Sequence, residues 1–317
     1  MNELVVLTGP TAVGKTSLSI ALAKRIDGEI ISADSIQVYR GMDIGSAKIT
    51  KEEMAGVPHH LIDVLEPTEE FNVHIFKNMA VKAIKDIQGR GKIPIIVGGT
   101  GFYIQAVLYD IDFAPTDDSH VYRTLLEQLA KEKGNEYLHR MLQKIDPDSA
   151  KEIHCNNVKR VIRALEYYHD TGETISSHNS AQRNNPSPYN FVYFVLNDKR
   201  ELLYDRINQR VDQMIENGLV EEVQRLLNSG CNKNMISMQG IGYKEVVEYI
   251  ENHGSLEETA ELIKKNTRHF AKRQLTWFRR ERDVTMVCVD AFQYQQEKIL
   301  EEMLMNLQKR NIIKDKI

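Results

Sequence analysis

The sequence predicts an α/β fold in which helices cover both faces of a parallel sheet, together with an inserted all-helical domain. Two observations predict the sheet: short apolar runs alternate with helical patterns, and glycine-rich loops follow the first and third runs. A third observation predicts the insertion, because residues 116–185 carry only helical periodicity. We therefore expect one sheet domain, built from residues 1–115 and 186–317, that is interrupted by a helical domain at 116–185.

Five apolar runs are predicted as strands, namely residues 4–8, 29–33, 93–97, 191–196 and 285–289. The helical patterns between and after them cover residues 17–26, 76–88, 199–217, 220–228 and 256–282. Ser255 and Glu258 form a capping-box pattern at the start of the last helix. The regular alternation of strand and helix predicts parallel pairing.

Helical patterns inside the insertion rest on apolar spacing and on one capping pair. The residues that predict an apolar helix face are Val121, Leu125 and Leu129. Asp146 and Pro147 suit the cap and the first turn of another helix. The polar segment 172–190 contains two prolines and no apolar period, so we interpret it as a connector.

Composition places the chain among ordinary globular proteins. Its 317 residues are 42% hydrophobic and 27% charged, with a formal net charge of −4. No apolar run reaches the roughly 20 residues of a membrane-spanning helix, and the N-terminus lacks the pattern of a signal peptide. Three widely separated cysteines without CxxC spacing indicate neither a disulfide framework nor a zinc site. We expect a monomer in the cytoplasm with no membrane partner.

A phosphate-binding motif follows the first predicted strand. The segment GPTAVGKT at residues 9–16 fits GxxxxGK[ST] and lies between a strand and a helix, as a P-loop does. Backbone N–H groups of such a loop converge on phosphate oxygens, and its lysine neutralises them. The residues predicted to bind a di- or triphosphate are Gly9, Thr11, Ala12, Val13, Gly14, Lys15 and Thr16. Thr16 is also the candidate ligand of Mg²⁺. This motif narrows the predicted fold class to a P-loop NTPase-like parallel sheet.

The third strand does not end as in an ordinary ATPase or kinase. Those enzymes hold Mg²⁺ with an acidic residue at the end of another strand, whereas the third strand here continues into Gly98, Gly99 and Thr100. The available carboxylate is Asp34, directly after the second strand, where open α/β sheets place ligand-contacting groups. A helix cap or a turn residue is the structural alternative for Asp34.

Several longer segments resemble the tRNA dimethylallyltransferase family, in the same order along the chain. They are residues 9–16, 32–45, 57–63, 97–101, 157–166, 240–245 and 267–279. That family transfers a dimethylallyl group from its diphosphate to N6 of the adenosine 3′ of the anticodon, at position 37. The resemblance implies the same reaction here, with tRNA and dimethylallyl diphosphate as partners and Mg²⁺ as cofactor. The P-loop would then bind the diphosphate as a leaving group.

The resemblance also assigns individual residues. Asp34 matches the general base, and Thr100 matches a residue of the channel where the two substrates meet. Ser35, Ile36 and Gln37 match the strip that contacts the target base, together with Asp34 and Thr100. We add Arg206 and Arg210, four apart on one predicted helix, as candidates that clamp the diphosphate. A solvated helix face is the alternative for these two arginines.

Basic residues are concentrated in two regions of an otherwise acidic chain. The first region is a basic stripe on the last predicted helix, made of Lys264, Lys265, Arg268, Lys272, Arg273, Arg279, Arg280 and Arg282. We predict that Lys265, Arg268 and Lys272 contact tRNA phosphates. The second region lies in the insertion and contains Lys159, Arg160 and Arg163. The family resemblance adds Arg123 as a further candidate in the same region. Trp277 and Phe278 could stack on bases, but we favour anchoring of the helix to the core.

Three other functions share part of this pattern. A small-molecule kinase would share the P-loop, but it needs the acid that is missing after the third strand. An isopentenyltransferase that acts on free adenine nucleotides would share Asp34, but it leaves the insertion and the basic stripe unexplained. A non-catalytic RNA-binding module leaves Lys15 and Thr16 without a role.

Overall fold

A computed structural model describes residues 2–113, 121–183 and 185–314 of the chain, without the side chain of Arg183. The contacts divide it into two compact units. One unit joins Met1–Leu108 and Pro188–Ile317, and the other is Tyr109–Ser187. The predicted junction at 115–116 lies outside the described residues. No helix in the described ranges is long and apolar enough to cross a membrane.

The first unit contains a six-stranded sheet in the order β3-β2-β4-β1-β5-β6. Its strands are β1 (Glu3–Thr8), β2 (Gly28–Ala33), β3 (His59–His60), β4 (Ile93–Gly98), β5 (Asn190–Asn197) and β6 (Val284–Cys288). Every neighbouring pair is parallel, which confirms the predicted parallel sheet. The two-residue strand β3 was not predicted, because it is too short to show an alternating pattern.

Thirteen helices lie within the described residues. The N-terminal part of the sheet unit holds α1 (Lys15–Ile26), α2 (Val73–Gly89) and α3 (Gly101–Leu108). The second unit holds α4 (Val121–Lys133), α5 (Asn135–Ile145), α6 (Pro147–Glu152), α7 (Val158–Thr171) and α8 (Ile175–Arg183). The C-terminal part holds α9 (Arg200–Glu216), α10 (Leu219–Asn228), α11 (Tyr243–Asn252), α12 (Leu256–Phe278) and α13 (Gln296–Lys309).

Both faces of the sheet are covered, as predicted. On one face, Val5 and Leu7 of β1 join a core cluster with residues of α1, α9 and α13. Leu4 and Val6 point to the opposite face, because side chains alternate along a strand, and they are also fully buried. The rings of Phe76 in α2 and Tyr103 in α3 stack with centroids 4.7 Å apart.

The second unit has its own core of helix-borne residues. Its buried members are Leu126, Leu138, Leu142, Ala150, Val161, Ile162, Ala164 and Leu165. The predicted apolar face of α4 was wrong in part, since Val121 is 69% exposed and Leu125 49% exposed. The helix instead turns the stripe of Tyr122, Leu126 and Leu129 toward the core, and the 3.6-residue period allows both readings.

Asp146 confirms one predicted cap and explains a second helix that was not predicted. Its side chain accepts a hydrogen bond from the Ser149 backbone N–H at 3.0 Å, at the start of α6. The same carboxylate accepts the Ser176 N–H at 3.0 Å, in the first turn of α8. The interpretation of 172–190 as a connector was therefore wrong over Ile175–Arg183. A cap supplied from thirty residues away leaves no local pattern in the sequence.

A buried glutamate in α10 anchors the loop that follows β2. Glu222 is 1% exposed and accepts backbone N–H groups of Asp43, Ile44 and Gly45 at 2.9, 2.8 and 3.1 Å. It also accepts the Tyr243 hydroxyl at 2.8 Å. Burial and the adjacent carboxylate raise the pKa of that hydroxyl, so it stays protonated and donates. The loop is thereby tied to α10 and α11.

Replacement of Glu222 by Ala should lower the free energy of unfolding by about 3 kcal/mol, because it leaves the buried Tyr243 hydroxyl and three partly buried backbone N–H groups without their acceptor. Chemical denaturation measures this loss. Glu221→Ala, at an exposed position of the same helix, is the matched control and should change stability by less than about 0.5 kcal/mol. Equal losses in the two variants would contradict the anchoring described for Glu222.

Candidate active site at the strand carboxyl ends

Three adjacent strands, β2, β4 and β1, end at the same level of the sheet, and β5 continues to Asn197. Thr8 of β1 is in register with Gly98 of β4 and with Val195 of β5, and Gly98 is in register with Ala33 of β2. The buried Thr8 hydroxyl donates to the Gly98 carbonyl at 2.6 Å. The segments that follow these strands therefore start side by side. They include the loop at 9–16, Asp34, and the Gly99 and Thr100 pair.

The loop at 9–16 adopts the conformation that a phosphate site requires. Gly9, Ala12 and Gly14 have φ angles of 148°, 63° and 96°. A side chain at Gly9 would place its Cβ 2.6 Å from the Leu196 carbonyl oxygen, so only glycine fits there. The N-terminus of α1 has no side-chain cap. Its backbone N–H groups, with the positive end of the helix dipole, are available to an anion.

Lys15 lies folded back over this loop. Its Nζ donates to the carbonyl oxygens of Gly9 at 2.9 Å and Pro10 at 2.8 Å. Burial is the main reason that its pKa falls to about 7; Arg210 lowers it further, and Asp34 opposes both. An incoming anion would stabilise the charged ammonium form.

Asp34 occupies the turn directly after β2. One carboxylate oxygen, Oδ1, accepts the backbone N–H groups of Ile36 at 2.8 Å and Gln37 at 3.2 Å. The turn interpretation of Asp34 is thus correct, and it is compatible with a chemical role. The two hydrogen bonds fix the direction of the carboxylate and engage a single oxygen of it.

The two candidate arginines of α9 have different surroundings. Arg210 couples electrostatically to Lys15 and Asp34, and its pKa is lowered mainly by burial and raised in part by Asp34 and Glu53. Asp34, Lys15 and Arg210 therefore form a charge cluster with two cations and one anion, and the exposed Glu53 acts on Arg210 more weakly than Asp34 does. Such a cluster favours a bound anion, because burying excess positive charge is costly.

Arg206 instead forms an ion pair with Asp198, whose side chain is fully buried. The Tyr294 hydroxyl donates to the same carboxylate at 3.0 Å, and the Tyr294 ring lies 5.7 Å from the Arg206 guanidinium. The structure brings Arg210 into the charge cluster and engages Arg206 with Asp198. A diphosphate contact by Arg206 stays a prediction.

The other residues assigned to the reaction centre lie beside Asp34. Thr100 donates its N–H to the Ala33 carbonyl at 3.4 Å, and its own carbonyl accepts the Tyr103 N–H at 3.0 Å, where α3 begins. The Gln37 side-chain amide donates to the Ser46 and Ala47 carbonyls at 3.3 and 3.4 Å. Ser35 and Ile36, between Asp34 and Gln37, are half-buried.

The basic stripe lies on α12 and beyond its C-terminus. Lys265 and Lys272 are exposed, whereas Arg268 is half-buried and donates to Asn208 Oδ1 of α9. Lys264 is already paired with Asp212 at 2.7 Å and Glu261 at 2.9 Å. Lys265 and Lys272 are thus better placed than Lys264 to meet a phosphate backbone.

The aromatic pair at the end of α12 serves the core. Phe278 is fully buried. The Trp277 ring packs against Gly101, where a Cβ would lie 2.2 Å from Trp277 Cδ1. This packing confirms the anchoring interpretation.

Basic candidates of the helical unit lie on α4 and α7. Lys159 and Arg160 are exposed at the start of α7, and Arg163 is half-buried. Arg123 of α4 forms two hydrogen bonds of 2.8 Å with the carboxylate of Glu166, which is only 6% exposed. Arg123 therefore has a structural partner, and its contact with tRNA stays a prediction.

Sequence reasoning missed one polar residue at the site. Gln274 of α12 accepts the Thr11 N–H at 3.0 Å and donates to the Gly99 carbonyl at 3.0 Å. A polar residue at helical spacing between the buried Ala271 and Phe278 is the signal that could have found it.

The sheet order, the loop after β1 and the uncapped start of α1 define a P-loop α/β protein, a class that binds phosphate-bearing ligands. A family model described as IPP transferase matches residues 37–281, and one described as isopentenyl transferase matches residues 2–66. The chain belongs to the IPP transferase family.

Individual relatives agree with this membership. The tRNA dimethylallyltransferase of Lachnoclostridium phytofermentans is 58% identical over 99% of this chain and 100% of its own length. A crystal structure of the tRNA isopentenylpyrophosphate transferase of Bacillus halodurans is 46% identical, with a TM-score of 0.73 and 98% coverage of both chains. A eukaryotic dimethylallyltransferase acting on tRNA is 30% identical, with a TM-score of 0.81 over 98% of this chain and 80% of that one.

The Lys15 environment predicts a pH-dependent affinity for inorganic diphosphate. With a pKa of about 7 in the free protein, Lys15 is increasingly neutral above that pH, and anion binding must then take up a proton. Diphosphate affinity should therefore fall by up to about tenfold for each pH unit above 7. Calorimetric titrations between pH 6 and pH 9 measure this dependence.

Lys15→Met is the control for that titration, because it keeps the titration of the diphosphate itself and removes that of the lysine. The variant should bind more weakly and show the shallower pH dependence. Identical slopes in the two proteins would remove Lys15 from the anion site.

Proposed function

We propose that this chain transfers a dimethylallyl group from dimethylallyl diphosphate to N6 of adenosine 37, next to the anticodon of tRNA, and releases diphosphate. The observation that carries this proposal is the proximity of two sites, the loop after β1 and the carboxylate after β2, at the ends of strands that flank β4. The P-loop with Lys15 and Arg210 can hold an anion, and the carboxylate of Asp34 is coupled to both cations. The relatives are named as dimethylallyltransferases that act on tRNA, which supports the same reaction here.

The anion site suits a leaving group. When the bond between the allylic carbon and the diphosphate oxygen breaks, its electron pair goes to the diphosphate, and negative charge grows there. Lys15, Arg210 and the backbone N–H groups at the start of α1 stabilise that charge in place of bulk water. No phosphoryl group moves in this reaction.

Asp34 supplies what the nucleophile needs. The exocyclic amine of adenine is weakly nucleophilic, so it must be oriented and must lose a proton as its nitrogen bonds to the allylic carbon. The Asp34 carboxylate is held by the N–H groups of Ile36 and Gln37. It can accept the amine hydrogen bond and then the N6 proton.

The oxygen ligands available at this site, the Thr16 hydroxyl and the diphosphate oxygens, fit Mg²⁺. Mg²⁺ keeps several waters and needs few protein ligands when phosphate oxygens are present. The Thr16 hydroxyl, exposed in the first turn of α1, would be the protein ligand. No cluster of three His, Cys, Asp or Glu side chains that could hold a metal occurs among the described residues. The ion would neutralise diphosphate charge when bound.

Basic surfaces on both units suit the RNA. Lys265, Arg268 and Lys272 would contact tRNA phosphates from α12. The other candidates, which lie on the helical unit, are Arg123, Lys159, Arg160 and Arg163. An adenine stacked in an anticodon loop must be extruded to reach Asp34 and Thr100, and phosphate contacts elsewhere offset that cost of a few kcal/mol.

Incubation with labelled dimethylallyl diphosphate tests the proposal against its alternatives. Bulk tRNA and AMP serve as acceptors in parallel, and labelled ATP is tested as a second donor. Label should move from dimethylallyl diphosphate to tRNA. Transfer to AMP would indicate a nucleotide-specific enzyme, and phosphate transfer from ATP would indicate a kinase.

Asp34→Asn should keep tRNA binding and reduce transfer by about 10² or more, since a positioned base contributes about 10² to 10⁴. The asparagine oxygen still accepts the Ile36 and Gln37 N–H groups, so the turn is preserved. Single-turnover rates and tRNA affinities separate the two effects. Normal turnover in this variant would exclude Asp34 as the base.

The double replacement of Lys265 and Lys272 by Ala should weaken tRNA binding and reduce its salt dependence. Each lost phosphate contact lowers the slope of log affinity against log salt by about 0.7 to 0.9. Filter binding at several salt concentrations measures the slope.

Lys264→Ala is the matched control, because this lysine is engaged by Asp212 and Glu261. Its slope should stay near that of the unmodified protein. An unchanged slope in the double variant would place the RNA on another surface.

A further inference from the structure

Helix α12 has two sides with different chemistry. Lys265 and Lys272 are exposed on one side. The other side packs inward through Ala271 and Phe278, both fully buried, and between them lies Gln274 at 6% exposure. A buried amide has a high desolvation cost, and both of its polar ends need partners.

Gln274 finds those partners on two different strand ends. Its Oε1 accepts the backbone N–H of Thr11, in the loop after β1, at 3.0 Å. Its Nε2 donates to the carbonyl of Gly99, after β4, at 3.0 Å. The space is tight, because a Cβ on Gly99 would lie 2.1 Å from Gln274 Nε2. Glycine at position 99 therefore admits this side chain.

The two bonded backbone groups lie next to the chemistry. Thr11 belongs to the first half of the diphosphate loop, and Gly99 directly precedes Thr100. One side chain thus bridges, through two hydrogen bonds, the loop after β1 and the segment after β4 that leads to Thr100. The N–H of Thr11 is used in this contact, which leaves anion binding to the later N–H groups of the loop and to those at the start of α1.

We infer that Gln274 is a positioning residue for the transfer reaction. It holds the diphosphate loop and the Thr100 segment in the spacing that brings the allylic carbon to the amine. This inference rests on the proposed function. It also makes α12 a shared element, since the helix that presents the basic stripe carries the side chain that fixes the loop.

Gln274→Met tests the inference, because methionine has a similar length and shape and cannot form either hydrogen bond. The value of kcat should fall by about 10- to 100-fold, the scale expected for a reacting group displaced by about 1 Å. The KM for tRNA should stay within about twofold, because the phosphate contacts of α12 are unchanged. Steady-state kinetics, with each of the two substrates varied in turn, measures kcat and KM separately.

Gln88→Met is the matched control. Gln88 of α2 also donates its side-chain amide to a strand carbonyl, that of Glu3 at 3.0 Å, but at the opposite end of β1. Both variants should lose thermal stability, and only Gln274→Met should lose kcat. A parallel loss of kcat in both, or an unchanged kcat in Gln274→Met, would overturn the inference.

Gln274→Glu provides a second test that does not depend on the methionine variant folding. A neutral carboxyl can accept the Thr11 N–H and donate to Gly99, whereas the carboxylate can only accept. The ratio of its kcat to that of the unmodified enzyme at the same pH should rise as pH falls, and titrations common to the two proteins cancel in this ratio. A pH-independent ratio would overturn the inference. The proposed function fails separately, if the unmodified enzyme transfers no label to tRNA.

Discussion

The site depends on the common level at which three parallel strands, β2, β4 and β1, end. Because Ala33, Gly98 and Thr8 are in register across β2, β4 and β1, the segments that follow them start side by side although they are distant in the sequence. The segment after each of these strands contributes one function to the site. The anion loop follows β1, the carboxylate follows β2, and the start of α3 follows β4. Hydrogen bonding of the sheet fixes these spacings before any ligand arrives.

The charges near these strand ends are not balanced in the free protein. Lys15 and Arg210 are both pushed toward their neutral forms by burial, and Asp34 offsets this effect only in part. The protein thus maintains a site whose most favourable occupant carries negative charge. Arg206 does not contribute to that imbalance, since Asp198 already neutralises it. Two arginines one turn apart on α9 therefore differ through their partners, which their spacing does not reveal.

Local patterns predicted most of the sheet and the long helices, because period and capping are readable from neighbouring residues. The predicted strand at 191–196 and the observed Asn190–Asn197 illustrate this agreement. Contacts between distant segments could not be predicted in this way. Glu222 and Gln274 each bind backbone groups more than one hundred residues away. Helix α8 was missed for the same reason, since Asp146 caps it from another helix.

The chain order of the sheet has a consequence for synthesis on the ribosome. β1 pairs with β4 on one side and with β5 on the other, and β5 begins only at Asn190, after the helical unit. A nascent chain that stops before that residue leaves one edge of a central strand, with the apolar segment 4–7, unpaired. Such an edge recruits foreign strands. Because the helical unit lies between β4 and β5 in the chain, its synthesis lengthens the time during which this edge waits for its neighbour.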